Sequence, residues 1–239
     1  MTIQMELNTT EVSTPHGNPA SFLSRPGTSD LATVGASNRL WGSLVDEYLI
    51  PDGLSGWALD VGAHIGSVTV PLLLDNPDLR VIAIEAVPDN VALLVENLAR
   101  NHVDDRCTVL NAAAWSGKGT IEVEFGYTGS EVAETHAFIG SITPWLDNPG
   151  TSRTATVPIR TLKDVLALTD GEFVWAKSDC EGCEHRFFVG PALKHIKVLV
   201  GEWHHRDGSP ESFSARLSKT HDVTWSEGIG GGPFRAVRR

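Results

Sequence analysis

Apolar residues in this chain come in short runs that carry acids at their far ends, and between the runs they recur at helical spacing. Trp57 to Val61 and Arg80 to Glu85 are near-continuous apolar stretches, with Asp60 and Glu85 at their carboxyl ends. Such runs predict parallel strands buried on both faces. A helix is expected from about Ser67 to Leu74. Another runs from Pro88 to Asn101, where Val91, Leu93, Leu94, Val95 and Leu98 cluster and Pro88 suits a first helical turn. Further strands are expected at Cys107 to Leu110, Phe173 to Ser178 and Val198 to Glu202. The segments around Val223 to Trp225 and Phe234 to Val237 pair as an antiparallel end to the sheet. Strands alternating with helices predict an α/β fold, a doubly wound sheet of mostly parallel strands.

Other stretches are read differently. Leu40, Trp41, Leu44 and Leu49 suggest a helix over 38–49, closed by Pro51 and Gly53. Thr120 to Phe125 alternates Ile121, Val123 and Phe125 with Glu122 and Glu124, the pattern of a half-solvated strand. Val157 to Arg160 reads as a short extended piece, and Thr161 as the cap of a helix from Leu162 to Leu168. Met1 to about Ser37 is rich in Ser, Thr, Pro and Gly, which suggests a flexible arm or a lid before a single domain over 38–239. Gly126 to Thr156 shows little pattern, and so long an insertion suits a lid or binding loop.

Composition narrows the partners. With 239 residues and 41% hydrophobic content, the chain can bury one ordinary α/β core. A net charge of −11 disfavours nucleic acid as partner, since a phosphate backbone needs a cationic footprint. No stretch reaches the roughly 20 apolar residues of a membrane span, and no secretory leader is visible. The expectation is a soluble, cytoplasmic protein that binds no membrane. Cys107, Cys180 and Cys183 are too few for a disulfide framework, and Cys180 and Cys183 lack the second pair of a zinc site. They read as small packing residues in a reducing compartment.

The candidate chemistry sits at strand ends. Gly62 and Gly66, around Ala63 and His64, let backbone approach a ligand at a turn into a helix whose free N–H groups favour negative charge. For S-adenosylmethionine (SAM), this turn meets the methionine end, with Asp60 accepting from the ammonium directly or through water. Glu85 can accept both hydroxyls of a ribose. Asn111 can bond an adenine edge, and Ala112 and Ala113 leave room for the ring. An NAD-dependent oxidoreductase competes, but the second glycine of its phosphate loop would fall at His64. After the fourth strand come Asp179, Glu181 and Glu184, and after the fifth Glu202, His204 and His205. Asp179, His204 and His205 are the candidate bases, while Glu181, Glu184 and Glu202 are assigned to the substrate. Asp179, Glu202 and His204 could hold a divalent ion, though the sequence commits to no metal.

Taken together, Asp60 to Gly66, Glu85 with Pro88-Asp89-Asn90, Leu98 with Asn101, Ala112-Ala113, and Lys177 with Asp179 to Glu184 resemble the FkbM-like SAM-dependent methyltransferases. Gly190 and Val200 to His204 extend the resemblance. It implies a class I methyltransferase (Rossmann-like) sheet of about seven strands, with SAM as cofactor. Methyl transfer to a hydroxyl oxygen of a small molecule, a sugar or specialised metabolite, is implied too. His64 and Cys183 depart from the family pattern, where Asn and Ala are usual. The alternatives are an N-methyltransferase of the same fold, the oxidoreductase above, and a binding protein without catalysis.

Overall fold

The structure, a computed structural model, describes residues 6–28, 30–34, 50–126, 137–139, 152–204, 208–226 and 232–239. In chain order come β1 (Asn8–Ser13), β2 (Pro19–Ser24), α1 (Asp30–Val34), β3 (Gly56–Val61), α2 (Thr69–Asp75), β4 (Leu79–Glu85) and α3 (Pro88–Arg100). Then follow β5 (Cys107–Asn111), β6 (Ala113–Ala114), β7 (Thr120–Gly126), β8 (Ala137–Ile139), β9 (Ser152–Arg160) and α4 (Leu162–Leu166). The chain continues with β10 (Trp175–Ser178), α5 (Glu184–Phe187), β11 (Val198–Trp203), α6 (Pro210–Leu217), β12 (His221–Trp225) and β13 (Gly232–Arg238).

Seven strands form the central sheet in the order β12-β13-β11-β10-β3-β4-β5. β3 pairs in parallel with β4 on one side and β10 on the other, and β13 runs antiparallel between β11 and β12. The strand order reverses at β3, which opens a crevice beyond the carboxyl ends of β3, β4 and β10. Successive side chains point to opposite faces. Ala58, Val81, Ala83, Trp175 and Val200 therefore enter one core, and Leu59, Ile82, Ile84, Ala176 and Leu199 the other. That is why these strands read as unbroken apolar runs. On α3, Leu93, Leu94 and Leu98 are buried, whereas Val95 lies outside the stripe and is exposed.

Two expectations change. The segment read as a flexible arm contains the antiparallel hairpin β1–β2, and Ala20, Phe22 and Ser24 alternate inward. Side-chain amides of α3 complete β2 as a further strand would. Asn97 Oδ1 accepts from Leu23 N at 2.7 Å and Asn101 Oδ1 from Ser21 N at 2.8 Å, each amide also donating to the same residue's carbonyl. The second change concerns the insertion: β9 is nine residues long and pairs with β7, giving a four-stranded sheet β6-β9-β7-β8 outside the central one. The helix expected over 38–49 falls outside the described residues, as do 127–136 and 140–151 of the insertion. Thr161 caps α4 as expected, in a reciprocal box with Asp164. Among the described residues no helix is long and apolar enough to cross a membrane.

A buried network ties the hairpin segment to the crevice. Asp30 accepts from the Arg25 backbone and guanidinium at 2.7–2.9 Å, and Arg25 also donates to Asn90 at 2.6 Å. Burial opposes the charge on Asp30, but the Arg25 hydrogen bonds and the His64 and Arg25 charges outweigh it and hold the carboxyl below 3.8. Its folded value is lowered, so its stabilisation is complete above about pH 4 and is lost as the pH falls through that lowered value. Asp30→Asn should cost about 2 kcal/mol near neutrality, the worth of charge-assisted bonds. In urea unfolding at neutral and acid pH the gap between variant and wild type should close in acid. A gap independent of pH would contradict this account.

Candidate functional site

β3 ends at Val61, and the chain leaves the sheet through Gly62 at φ 79°. A Cβ there would overlap the carbonyl oxygen of Asp179, so glycine is required both for the turn and for the approach of the β10 end. The N–H groups of Gly62 and Ala63 both donate to Ile84 O at 3.0 Å, which locks the turn against the end of β4. His64 adopts a left-handed conformation, φ 52°, and its N–H donates to Glu85 Oε2 at 2.8 Å. Its ring lies beside Thr33 and Asp30, with Nδ1 3.2 Å from Thr33 Oγ1 and Nε2 3.4 Å from Asp30 Oδ1. The segment expected to be an arm or lid thus packs against the turn, and its Thr33 faces the cleft beside it.

A cleft of about 870 Å³, its opening included, lies at these strand ends. Of the residues expected to hold a cofactor, Gly62, His64, Glu85, Ala112 and Ala113 line it, joined by Ala114, Asn90 and Lys177. Burial raises the Glu85 carboxyl above its ordinary value, although N–H groups of Val87 and His64 and the Asn90 amide donate to it. The small side chains of Ala112 to Ala114 leave a recess in this part of the lining. Val123, Phe125 and Val157 of the outer sheet pack behind Ala113.

Four cofactor candidates lie elsewhere. Ala63 and Gly66 are turn residues behind the wall, Gly66 facing Leu94 and Val70. Asn111 does not reach the recess: its amide donates to the carbonyls of Glu85 and Ala86 at 3.0 and 3.1 Å, because β5 pairs with β4 at this register. Asp60 is wholly buried and is not among the residues that line the cleft. It accepts from Thr69 Oγ1 at 2.6 Å and stands 3.3 Å from Lys177 Nζ in a buried ion pair.

Lys177 is the site residue that motif reading underused. Its Nζ donates to Gly62 O at 2.7 Å and lies 3.9 Å from Asp179 Oδ2, so one ammonium joins the turn, Asp60 and the catalytic candidate. Burial opposes its charge, yet Asp60 and Asp179, with Glu85 further off, keep its pKa above the usual lysine value. The signal was a lysine within an otherwise apolar strand. Such a group is expelled to water unless a buried acid answers it, and Asp60 on the neighbouring strand is in register with it.

Beyond β10 the acids divide. Asp179 and Glu181 line the cleft, half-buried. Glu184, assigned from sequence to the substrate, is instead wholly buried at the start of α5 and outside the lining. Its Oε1 faces His204 Nδ1 at 2.9 Å. Burial opposes protonation of His204, but the Glu184 hydrogen bond and the charges of Glu181, Glu184 and Asp179 prevail and lift the imidazole to about 9. It therefore carries a proton near neutrality. Glu202 is half-buried and does not line the cleft, and His205 falls outside the described residues.

Cys180 and Cys183 are joined in a disulfide, where unpaired packing residues were expected. The turn through Gly182 brings the two together, which composition cannot reveal. The bond closes the loop carrying Asp179 and Glu181. By chain-entropy reasoning, so small a ring contributes about 2 kcal/mol. Thermal unfolding with and without reductant should differ by that amount, and Cys183→Ala should match the reduced protein. Identical unfolding in all three samples would show that the bond does not form.

The sequence profile of the methyltransferase FkbM domain matches residues 60–222, more than half of the chain. The chain belongs to the FkbM methyltransferase family. Comparison of this FkbM-family protein with curated proteins finds no match. Among solved structures it resembles a 16S rRNA methyltransferase from T. thermophilus in complex with AdoMet and guanosine, at 14% identity and TM-score 0.53. That alignment covers 100% of this chain and 52% of the other. An O-methyltransferase from Bacillus cereus in complex with SAH aligns at 15% identity and TM-score 0.47 over 85% of this chain and 81% of its own. An rRNA methylase from Streptococcus thermophilus aligns at 7% identity and TM-score 0.47, over 83% and 95%. Identities this low speak to fold alone. The FkbM-family chain has the class I methyltransferase architecture, with the cleft at the reversal of strand order.

Proposed function

We propose that this protein moves the methyl group of SAM to a hydroxyl oxygen of a small-molecule acceptor, a sugar or another specialised metabolite. The observation that carries the reading is one continuous cleft lined by Gly62, Glu85 and Ala112 to Ala114 at one part and by Asp179 and Glu181 at another. The residues suit such a cofactor: Glu85 offers carboxylate oxygens to a ribose, and the alanine recess admits a flat base. Bound SAM supplies a methyl on a sulfonium that is already a good leaving group. The protein then needs to align acceptor and methyl and to exclude water. Asp179 is the base in this reading, since its carboxylate lines the cleft just beyond the end of β10, whereas His204 does not line it. The net charge of −11 supports a small acceptor over RNA.

Calorimetry with S-adenosylhomocysteine (SAH), the demethylated product, tests the reading. SAH should bind, and Glu85→Ala should weaken it roughly tenfold to a hundredfold, the value of lost hydrogen bonds to a charged group. No heat and no thermal shift with either SAM or SAH would eliminate the proposal.

A further inference from the structure

We propose that Asp179, Glu181 and His204 form a site for one divalent cation at the acidic part of the cleft. His204 Nε2 lies 3.7 Å from Asp179 Oδ1 and 3.8 Å from Glu181 Oε2. Those separations exceed a hydrogen bond. Two metal–ligand bonds of about 2.1 Å span gaps of 3.7 and 3.8 Å, and all three ligand atoms lie within 4.8 Å of one another. The groups are spaced to share an ion between them.

A second observation lies outside the trio. Glu184 is wholly buried and its Oε1 sits 2.9 Å from His204 Nδ1, which turns Nε2 toward the two carboxylates. A carboxylate behind the imidazole is the usual support of a metal-bound histidine. The other oxygen, Oε2, is buried without a hydrogen-bond partner among the described residues. Asp179, Glu181 and Glu184 all face His204, and a cation bound at Nε2 would take the place of the proton held there.

The Cys180–Cys183 bond fixes the loop that presents Asp179 and Glu181. The ligand set differs from the one suggested by sequence: Glu181 takes the place of Glu202, because it is Glu181 Oε2 that lies beside His204 Nε2. One imidazole with two carboxylates suits Mn²⁺ or Zn²⁺. The site rests on this geometry and not on the methyl-transfer reading, so the two can fail separately.

The test is titration of chelator-treated protein with Mn²⁺, following free Mn²⁺ by electron paramagnetic resonance, beside SAH calorimetry on the same samples. Wild type should take up one Mn²⁺ per chain. Glu181→Gln and His204→Gln should weaken that uptake roughly tenfold or more, while Glu202→Gln should leave it unchanged. Absence of uptake by wild type, uptake unaltered by Glu181→Gln, or loss in Glu202→Gln would each overturn the assignment. Mn²⁺ uptake without SAH binding would keep the cation site and remove the methyl-transfer reading. SAH binding without Mn²⁺ uptake would do the reverse.

Discussion

Lys177→Met should lower stability by about 3 to 5 kcal/mol, the cost of leaving a buried charge without its partner. The stranded group is Asp60, which is wholly buried and otherwise held by Thr69 Oγ1. Gly62 O would lose a donor at the same time. Urea unfolding measures the loss, and the double variant Asp60→Asn with Lys177→Met should recover most of it, because replacing both charges removes the uncompensated one. A single variant within about 1 kcal/mol of wild type, the size of an average substitution, would show that the pair is not as buried as described. SAH affinity should fall with Lys177→Met as well, since the turn through Gly62 loses the ammonium that anchors it.

Gly62→Ala should cost about 3 kcal/mol or more, combining the strain of a side chain at positive φ with overpacking. The overlap is with the Asp179 backbone rather than with a side chain, so no rotamer change relieves it. The end of β10 must move, and Asp179 moves with it. The expected result is a lower urea midpoint together with lost turnover. Gly171→Ala is an informative comparison: its φ of 96° is also positive, but an added Cβ there meets nothing within 4 Å, so it should show the conformational cost alone. Equal losses in the two variants would show that the close approach at Gly62 is relieved cheaply.

Much of the framework was legible because it depends on local patterns. Runs such as Val81 to Ile84 face apolar surroundings on both sides, so strand positions followed from hydrophobicity alone. The pairing of β12 and β13 followed from two short apolar segments near each other. The hairpin β1–β2 is not legible in a segment rich in Ser, Thr, Pro and Gly, because Asn97 of α3 and Asn101 at its end, many residues away, supply hydrogen bonds to β2 and the core takes in Ala20 and Phe22. β9 extends beyond the expected piece for a related reason: Ser152 to Thr156 read as loop by composition, and pairing with β7 supplies their backbone bonds.

The site divides along the same line. The sequence by itself determined the glycine turn, Glu85, the alanine wall and the placement of Asp179 and Glu181 at a strand end, because strand termini at a reversal of order must open onto one crevice. Tertiary structure alone decided that Asp60 serves Lys177, that Asn111 serves the backbone of β4, and that Glu184 stands behind His204 rather than in the cleft. Spacing along the chain records which strand end a side chain occupies. Whether it points into the cleft or beneath it depends on parallel register and on which buried charge needs a partner, and both are fixed only when separate strands meet.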